Sequence, residues 1–417
     1  MNKRIEKIGN KGLIIFLFYY TLFIQGLMSL LNFPQYLLYL KDIILIFTIA
    51  LTILKKRVKF HNKLFLLVVG LFILAVFSSI RNSISITYIL VGMRKFFRGI
   101  LYMYVCSVYL NYEDYNKAVR NCFKIQYINC IIIFIQRVFF HIGQDHSNGI
   151  FGTGMMNNYN NIMCLLIVSF CTAEYAAGNL KLKKWINILM VNMIIVLLAE
   201  LKVLFFMLPI AVLMIVREKI FTGRGLRISM IIIVGGTIAV VIFGTFYSQQ
   251  LEVILSMGLL NYNRYGLATH ALVHRLNWIT YTLENIFKGN ILSILSGIGF
   301  GVVSGLRSGG VNAFIELGYG SYGGSTVFLE LGLIGLALIT LFFSIIFLDS
   351  FKHIKSEEND NIIIQSFVRG FSLCMIVFLF FSNYIFDDSC FVVYFGLSSL
   401  YARNIIEHKR INNKVLA

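Results

Sequence analysis

Arg264, His270, His274 and Arg275 combine fixed positive charge with imidazoles that can accept a proton. Arginine's planar fork pairs with phosphate oxygens, and a base within hydrogen-bond reach of a hydroxyl can remove its proton. If the protein does chemistry, most of it is expected in this stretch. Arg307 and Glu316 follow in the same stretch. Other charged residues stand inside or beside apolar runs, where ions are costly and therefore informative. They are Lys41 with Asp42, the trio Arg94, Lys95 and Arg98, Glu200 with Lys202, and Asp387 with Asp388.

Each of these groups has a plain reading and a chemical one. Lys41 and Asp42 read as a locally paired couple near the end of an apolar run. Arg94, Lys95 and Arg98 follow the short apolar piece 84–93. They read either as snorkelling anchors or as cations delivered to the membrane surface by a re-entrant helix. Glu200 and Lys202 join two apolar runs with almost no loop, as a structural ion pair or as an acid and a phosphate-directed lysine. The stretch Gly149 to Asn161 carries Asn157, Asn158, Asn160 and Asn161, which can cap a helix or line a polar cavity that receives sugar hydroxyls. Asp387 and Asp388 read as a solvated outer turn, with a catalytic acid as the other reading. Trp278, Tyr262, Tyr265 and Tyr281 read as residues of an interfacial belt, with sugar platforms as the other reading.

The elements that must position these groups are membrane helices. The chain has 417 residues, 58% of them hydrophobic and only 13% charged, where soluble domains carry about 25%. Mean hydropathy is +0.79. Apolar blocks occur at 13–31, 36–54, 64–80, 96–111, 122–140, 160–178, 186–200, 202–217, 228–247, 326–348, 362–382 and 389–402. A helix needs ~20 residues to cross ~30 Å of hydrocarbon. The expectation is an all-α polytopic membrane protein of about twelve transmembrane helices. It forms a single integral membrane domain over 1–417, with one large external loop at 248–325.

The net charge of +18 belongs to topology, because the lysines and arginines gather in alternate short loops and no basic stripe is interleaved with stacking aromatics. No nucleic-acid partner is expected. The positive loops share the side of the basic N-terminus, so both termini are expected in the cytoplasm and the large loop outside. The seven cysteines form no C-x-x-C pair, and neither a zinc site nor a disulfide framework is indicated.

Three stretches resemble the O-antigen polymerase and O-antigen ligase family of membrane glycosyltransferases. The first is Gly149-Ile150-Phe151-Gly152, followed by the asparagines. The second is Arg275-Leu276-Asn277-Trp278 with Gly297-Ile298-Gly299-Phe300-Gly301 about twenty residues later. The third is Leu329-Glu330-Leu331-Gly332-Leu333-Ile334-Gly335. The resemblance covers roughly residues 149–340. It implies a GT-C-like fold in the bacterial cytoplasmic membrane. It further implies an undecaprenyl-diphosphate-linked glycan as donor, a sugar hydroxyl as acceptor and transfer on the outer face. No metal and no other cofactor is expected, and a flippase and a chain-length regulator are the expected protein partners. Under this chemistry the leaving diphosphate would meet Arg275 first, with Arg264, Arg307 and Lys202 behind it. Arg94, Arg98, Asn157 and Asn158 complete the expected substrate contacts. His270, His274, Glu200 and Glu316 are the candidate bases. Ligases of the family carry His-Asn where this chain has Ser321-Tyr322, which favours a repeat-unit polymerase over a ligase. A transporter of polyprenyl-linked sugars is the rival of a different class. Gly297 to Gly301 has no strand before it, so it reads as a turn or a close helix contact rather than a nucleotide-binding loop.

Overall fold

The computed structural model describes residues 2–31, 33–34, 36–54, 61–143, 146–152, 157–246, 273, 277–303, 313–352 and 359–402. Among these residues twelve helices of 13 residues or more follow one another. They are α1 (Asn2–Leu31), α2 (Leu37–Leu54), α3 (Asn62–Arg81), α4 (Ile86–Tyr109), α5 (Tyr112–Val138) and α6 (Asn158–Ala177). The rest are α7 (Leu182–Leu198), α8 (Leu204–Val216), α9 (Gly223–Phe246), α10 (Gly323–Asp349), α11 (Asn359–Phe381) and α12 (Cys390–Ala402). Seven of these are long and apolar enough to cross a membrane: α1, α2, α3, α5, α6, α10 and α11. The chain is an all-helical, membrane-embedded protein.

Each helix overlaps one of the apolar blocks, but α4 corrects one detail. The piece 84–93 is not a separate re-entrant segment; it forms the first turns of a continuous 24-residue helix that runs through all three cations. No proline or polar run interrupts it, and the cations find partners inside the bundle, so nothing forces a break. At its start α5 is fixed by reciprocal bonds between Asn111 and Asp114, a capping box.

Two helices form the centre. All of α12 is buried, and 94% of the hydrophobic window of α6 is. Against α12 lie α4, α11, α6 and α1, while α7, α8 and α11 cover α6 and α3 lies along α10. Small residues permit the close approaches. A Cβ on Gly99 of α4 would stand 2.2 Å from the Tyr394 ring of α12, and one on Gly370 of α11 would stand 2.5 Å from the Ala211 carbonyl of α8. Lipid offers little hydrophobic drive between helices, so contacts this tight supply much of the cohesion. The outward faces carry Ile43, Ile46 and Phe47 on α2, Phe65, Leu66, Ile73 and Phe77 on α3, and Ile128, Ile131 and Phe134 on α5, all exposed. An apolar exterior around a polar-studded interior is the arrangement expected in a bilayer.

Two features shape the end of the bundle that holds the site. First, α12 has 13 residues and is therefore about 20 Å long, short of the ~30 Å of hydrocarbon. Its far end reaches Asp349 through the Tyr401 hydroxyl at 2.9 Å, so the preceding turn, 382–389, sits sunk within the bundle. Second, α10 breaks at Gly332, whose φ of 66° and ψ of −163° leave the helical region. The glycine segment 297–301 lies in that break. Ile298 N donates to the Leu329 carbonyl at 2.9 Å and Gly299 N to that of Glu330 at 3.3 Å. A Cβ on Gly297 would meet the Glu330 carbonyl carbon at 2.3 Å. The segment is a close helix contact. Trp278, expected at the interface, is instead buried against Phe328 and Phe380.

Candidate active site

Lys41 and Asp42 do not pair with each other. Neighbouring residues on a helix point about 100° apart, and these two reach different elements. Lys41, 1% exposed, meets Asp388 Oδ1 at 2.5 Å, and Asp42 accepts from Arg94 Nε at 2.7 Å. Arg94 also lies over the Tyr39 ring, 4.5 Å from its centroid. One turn further along α4, Arg98 binds Asp388 Oδ1 at 2.7 Å and donates to the Phe386 carbonyl at 3.0 Å. Gln25 of α1 adds a bond to Asp388 Oδ2 at 2.7 Å. Asp388 thus ties α1, α2 and α4 to the sunken turn and is not a solvated residue. Burial pushes its carboxyl upward, but the charges of Arg98 and Lys41 outweigh that and hold it well below the usual carboxylate range. Buried Asp42 Oδ1 and Arg98 Nε have no hydrogen-bond partner among the described residues.

Asp387 faces a different set. Asn158, at the start of α6, donates to its Oδ2, and Asn383 Nδ2 lies 3.4 Å from its Oδ1. Asn383 also donates to the Gly320 carbonyl at 3.0 Å, and Gly323 N donates to the Ser382 carbonyl at 2.9 Å. These bonds fasten the turn to the start of α10. Phe386 stacks on Phe96 of α4 with centroids 4.7 Å apart.

The four asparagines that open α6 reach three separate elements, the hairpin after α7, α5 and the turn 382–389, and none makes a side-chain cap bond. Asn157 donates to the Ala199 carbonyl at 3.0 Å and Asn158 to Asp387. Asn160 accepts from Asn129 of α5 at 2.8 Å, and Asn161 donates to the Tyr384 hydroxyl at 2.8 Å. Asn129 also accepts from Ile150 N at 2.9 Å, and Gln136 accepts from Gly149 N at 2.8 Å. These amides hold 149–151 between α5 and α1.

Glu330 is the third carboxylate here. Its Oε1 accepts from Val303 N at 2.9 Å and its carbonyl accepts from Ser78 of α3 at 3.1 Å. The break at Gly332 and the glycine segment therefore serve a purpose: they bring α3, Val303 and Glu330 to one place.

Together these side chains line a cavity of about 450 Å³, within the range of small-ligand sites. Lys41, Arg94, Lys95 and Arg98 supply positive charge, Glu330, Asp387 and Asp388 negative charge, and Gln25, Asn158, Asn383 and Thr326 neutral polarity. The charged neighbours acting most strongly on Lys95 are Arg98, Asp387 and Glu330. Such an enclosure can bind a polyanion and hold a carboxylate beside it.

Of the residues expected from sequence, Arg94, Arg98 and Asn158 line this cavity. Asn157, Glu200 and Lys202 form an adjacent group that does not line it. Glu200, with φ 48°, sits 3.8 Å from Lys202 in a tight hairpin that Asn157 binds. Glu316 ends the short helix Ala313–Glu316, whose Ile315 lines the cavity. Tyr262, Arg264, Tyr265, His270, His274, Arg275 and Arg307 lie outside the described residues. Lys41, Lys95, Glu330, Asp387 and Asp388 are the residues that sequence reasoning did not place in the site. Their one common signal is ionisable character at membrane depth. No protein-family model matches the chain, and no characterised protein matches it at a significant level.

Proposed function

We propose that this protein is a polysaccharide polymerase of the cytoplasmic membrane that joins undecaprenyl-diphosphate-linked oligosaccharide repeats. The observation that carries the reading is the cavity. Four cations and three carboxylates gather at one end of a membrane-embedded bundle, where lipid-linked substrates reach them from the bilayer. On this reading the protein has about twelve spans in a GT-C-like arrangement with both termini cytoplasmic, and the cavity end faces outward. It is then related to the O-antigen polymerases and ligases.

The reaction displaces a diphosphate from an anomeric carbon. The departing charge needs fixed donors, which lower the barrier most in a site that excludes water. Arg94 and Arg98 stand one turn apart on α4, about 6 Å along its axis, a spacing suited to two phosphoryl groups. Lys95 and Lys41 supply point charges beside them. Arg98 Nε is buried without a hydrogen-bond partner among the described residues. Arg275, Arg264, Arg307 and Lys202 remain the expected further contacts of the lipid-linked chain, with His270, His274 and Glu200 beside them. The cations of the chain take the part that a metal plays in other transferases.

A transporter would need a polar path between the two ends. Here α12 is buried along its whole length, with Phe391, Phe395 and Leu397 among its buried apolar residues. That favours chemistry at one face over passage. The test is a cell-free assay with lipid-linked repeats extracted from cells that lack this protein. Ladders of high molecular weight formed from the repeat alone support polymerisation. Transfer solely to a foreign acceptor would make it a ligase, and movement of the lipid-linked sugar without new glycosidic bonds would make it a transporter.

A further inference from the structure

We infer that two basic stretches at the end of the bundle opposite the cavity, 178–184 and 217–224, form a binding surface for the headgroup of an anionic phospholipid. This surface does not depend on the reaction at the cavity. Lys181, Lys183 and Lys184 stand in the first stretch, and Arg217, Lys219 and Arg224 in the second. The end of α6 brings the two together. Lys219 Nζ donates to the Ala176 carbonyl at 3.5 Å, and the Arg224 guanidinium lies against Gly178, where a Cβ would stand 2.2 Å from Nη1. Gly178 ends α6 in the left-handed conformation, φ 95°, and its missing side chain leaves that place to the arginine.

Positive charge gathers here without its counter-charge. The one carboxylate in the two stretches, Glu218, is engaged by buried Arg369 at 2.7 Å. Among the described residues none of the six cations stands within ion-pair distance of a carboxylate. Burial, and behind it the charge of Arg224, push the Lys219 ammonium below the usual lysine value, against a weaker pull from Glu218. An anion beside the two would relieve that repulsion.

Depth makes the anion a lipid phosphate. With 20 residues, α6 is about 30 Å long, the thickness of the hydrocarbon. Its first residue, Asn158, lines the cavity. Gly178 at the other end therefore stands at or just beyond the hydrocarbon boundary, where phosphates lie. Between Lys219 and Arg224 the chain presents Phe221, 91% exposed. An uncovered aromatic ring flanked by cations suits an interface that takes the ring on its apolar side and the charges on its phosphates. A free phosphate would answer the cations and leave the ring in water.

The test places the full-length protein in vesicles of equal parts phosphatidylglycerol and phosphatidylcholine, extracts it in mild detergent and measures the lipid that stays bound. Each basic residue near an anionic surface strengthens attachment about fivefold. Wild type is expected to retain phosphatidylglycerol over phosphatidylcholine by at least about tenfold. Arg217→Gln/Lys219→Gln/Arg224→Gln should bring that ratio to within about twofold of unity. Lys181→Gln/Lys183→Gln/Lys184→Gln changes only exposed side chains, so the fold is spared, and should lower the ratio at least about fivefold. Phe221→Ser should lower it about threefold. Equal retention of the two lipids by wild type would overturn the assignment and leave the surface to a soluble acidic partner. Unchanged ratios in both triple variants would overturn it as well. An equal loss from Lys63→Gln/Lys117→Gln/Lys352→Gln, cations outside the two stretches, would replace a site with diffuse charge. An unchanged ratio in Phe221→Ser, with phosphatidylglycerol displaced by inorganic phosphate, would give the cations to a free anion instead of a lipid.

Discussion

At the end of the bundle opposite the cavity, three ion pairs keep one partner in solvent. Glu218, beside buried Arg369, is 54% exposed, and Lys352, beside Asp349, is 59% exposed. Arg120 beside Glu174 follows the same pattern. At the cavity end, Lys41 and Arg98 are both buried and share one carboxylate. Exposed pairs are worth about 0–1 kcal/mol, and they cost little to keep. A buried cluster pays several kcal/mol of desolvation per ion, and an apolar replacement of equal volume is often as stable. The shared buried carboxylate is therefore the costlier arrangement of the two. That difference, independent of any motif, is a reason to take the cavity end as the candidate site.

Substitutions can break that contrast or sharpen it. The largest effect is expected from Asp388→Ala, which leaves Lys41 and Arg98 buried without a counter-charge. Removing one partner of such a cluster costs ~3–5 kcal/mol, so the variant should melt well below wild type and form no product. Next is Gly297→Ala, because a Cβ there would stand 2.3 Å from the Glu330 backbone and the residue holds φ at 75°. It should displace Glu330 and lower activity at least about tenfold while the helical content stays the same by circular dichroism. Arg98→Lys keeps the charge but loses the fork that spans Asp388 and the Phe386 carbonyl. A tenfold or greater fall in product formation with melting changed by only ~1–2 kcal/mol would match the assignment, whereas wild-type rates would detach Arg98 from the site. At the other end, Lys352→Ala should change stability by less than about 1 kcal/mol and leave activity at the wild-type level. EDTA should likewise leave the rate unchanged, and a strict requirement for a divalent ion would contradict a site that works through side-chain cations.

Acid sensitivity separates the two neighbouring aspartates. The folded pKa of Asp388 lies below its unfolded value of about 3.9. Its stabilisation is therefore present in full above that value and is lost only as pH falls through the folded one. A rate profile that declines between pH 5 and 7 while the melting temperature holds would then report a group other than Asp388.

The helices were legible in the apolar blocks because spanning segments leave little freedom in length or composition. The beginning of α4 was not legible, because three cations look like a boundary until their acidic partners are known. Those partners come from α2 and from the turn before α12. Pairing over such sequence distances leaves no periodicity to read. One clue stood in plain view: the final apolar block, 389–402, is too short to span alone. A short last helix whose far end is anchored draws its preceding turn inward, and that turn carries Asp387 and Asp388. The four asparagines exceeded what one cap requires, and the surplus proved to be wiring between elements. The glycine segment was readable as packing because no strand preceded it, but its partner, the break at Gly332, is a property of α10 that spacing alone does not reveal.

The shared carboxylate also bears on how the chain is made. The Phe386 carbonyl that receives Arg98 lies 288 residues further along the chain. At ~5–20 residues per second, a ribosome needs roughly 15–60 s to cover that distance. Through that interval α4 must wait in or beside the membrane with Arg98 unanswered by Asp388, although Asp42 is already present to meet Arg94. The turn between α11 and α12 therefore brings the counter-charge late in synthesis. A chain that stops before residue 388 lacks the carboxylate that Arg98 and Lys41 share.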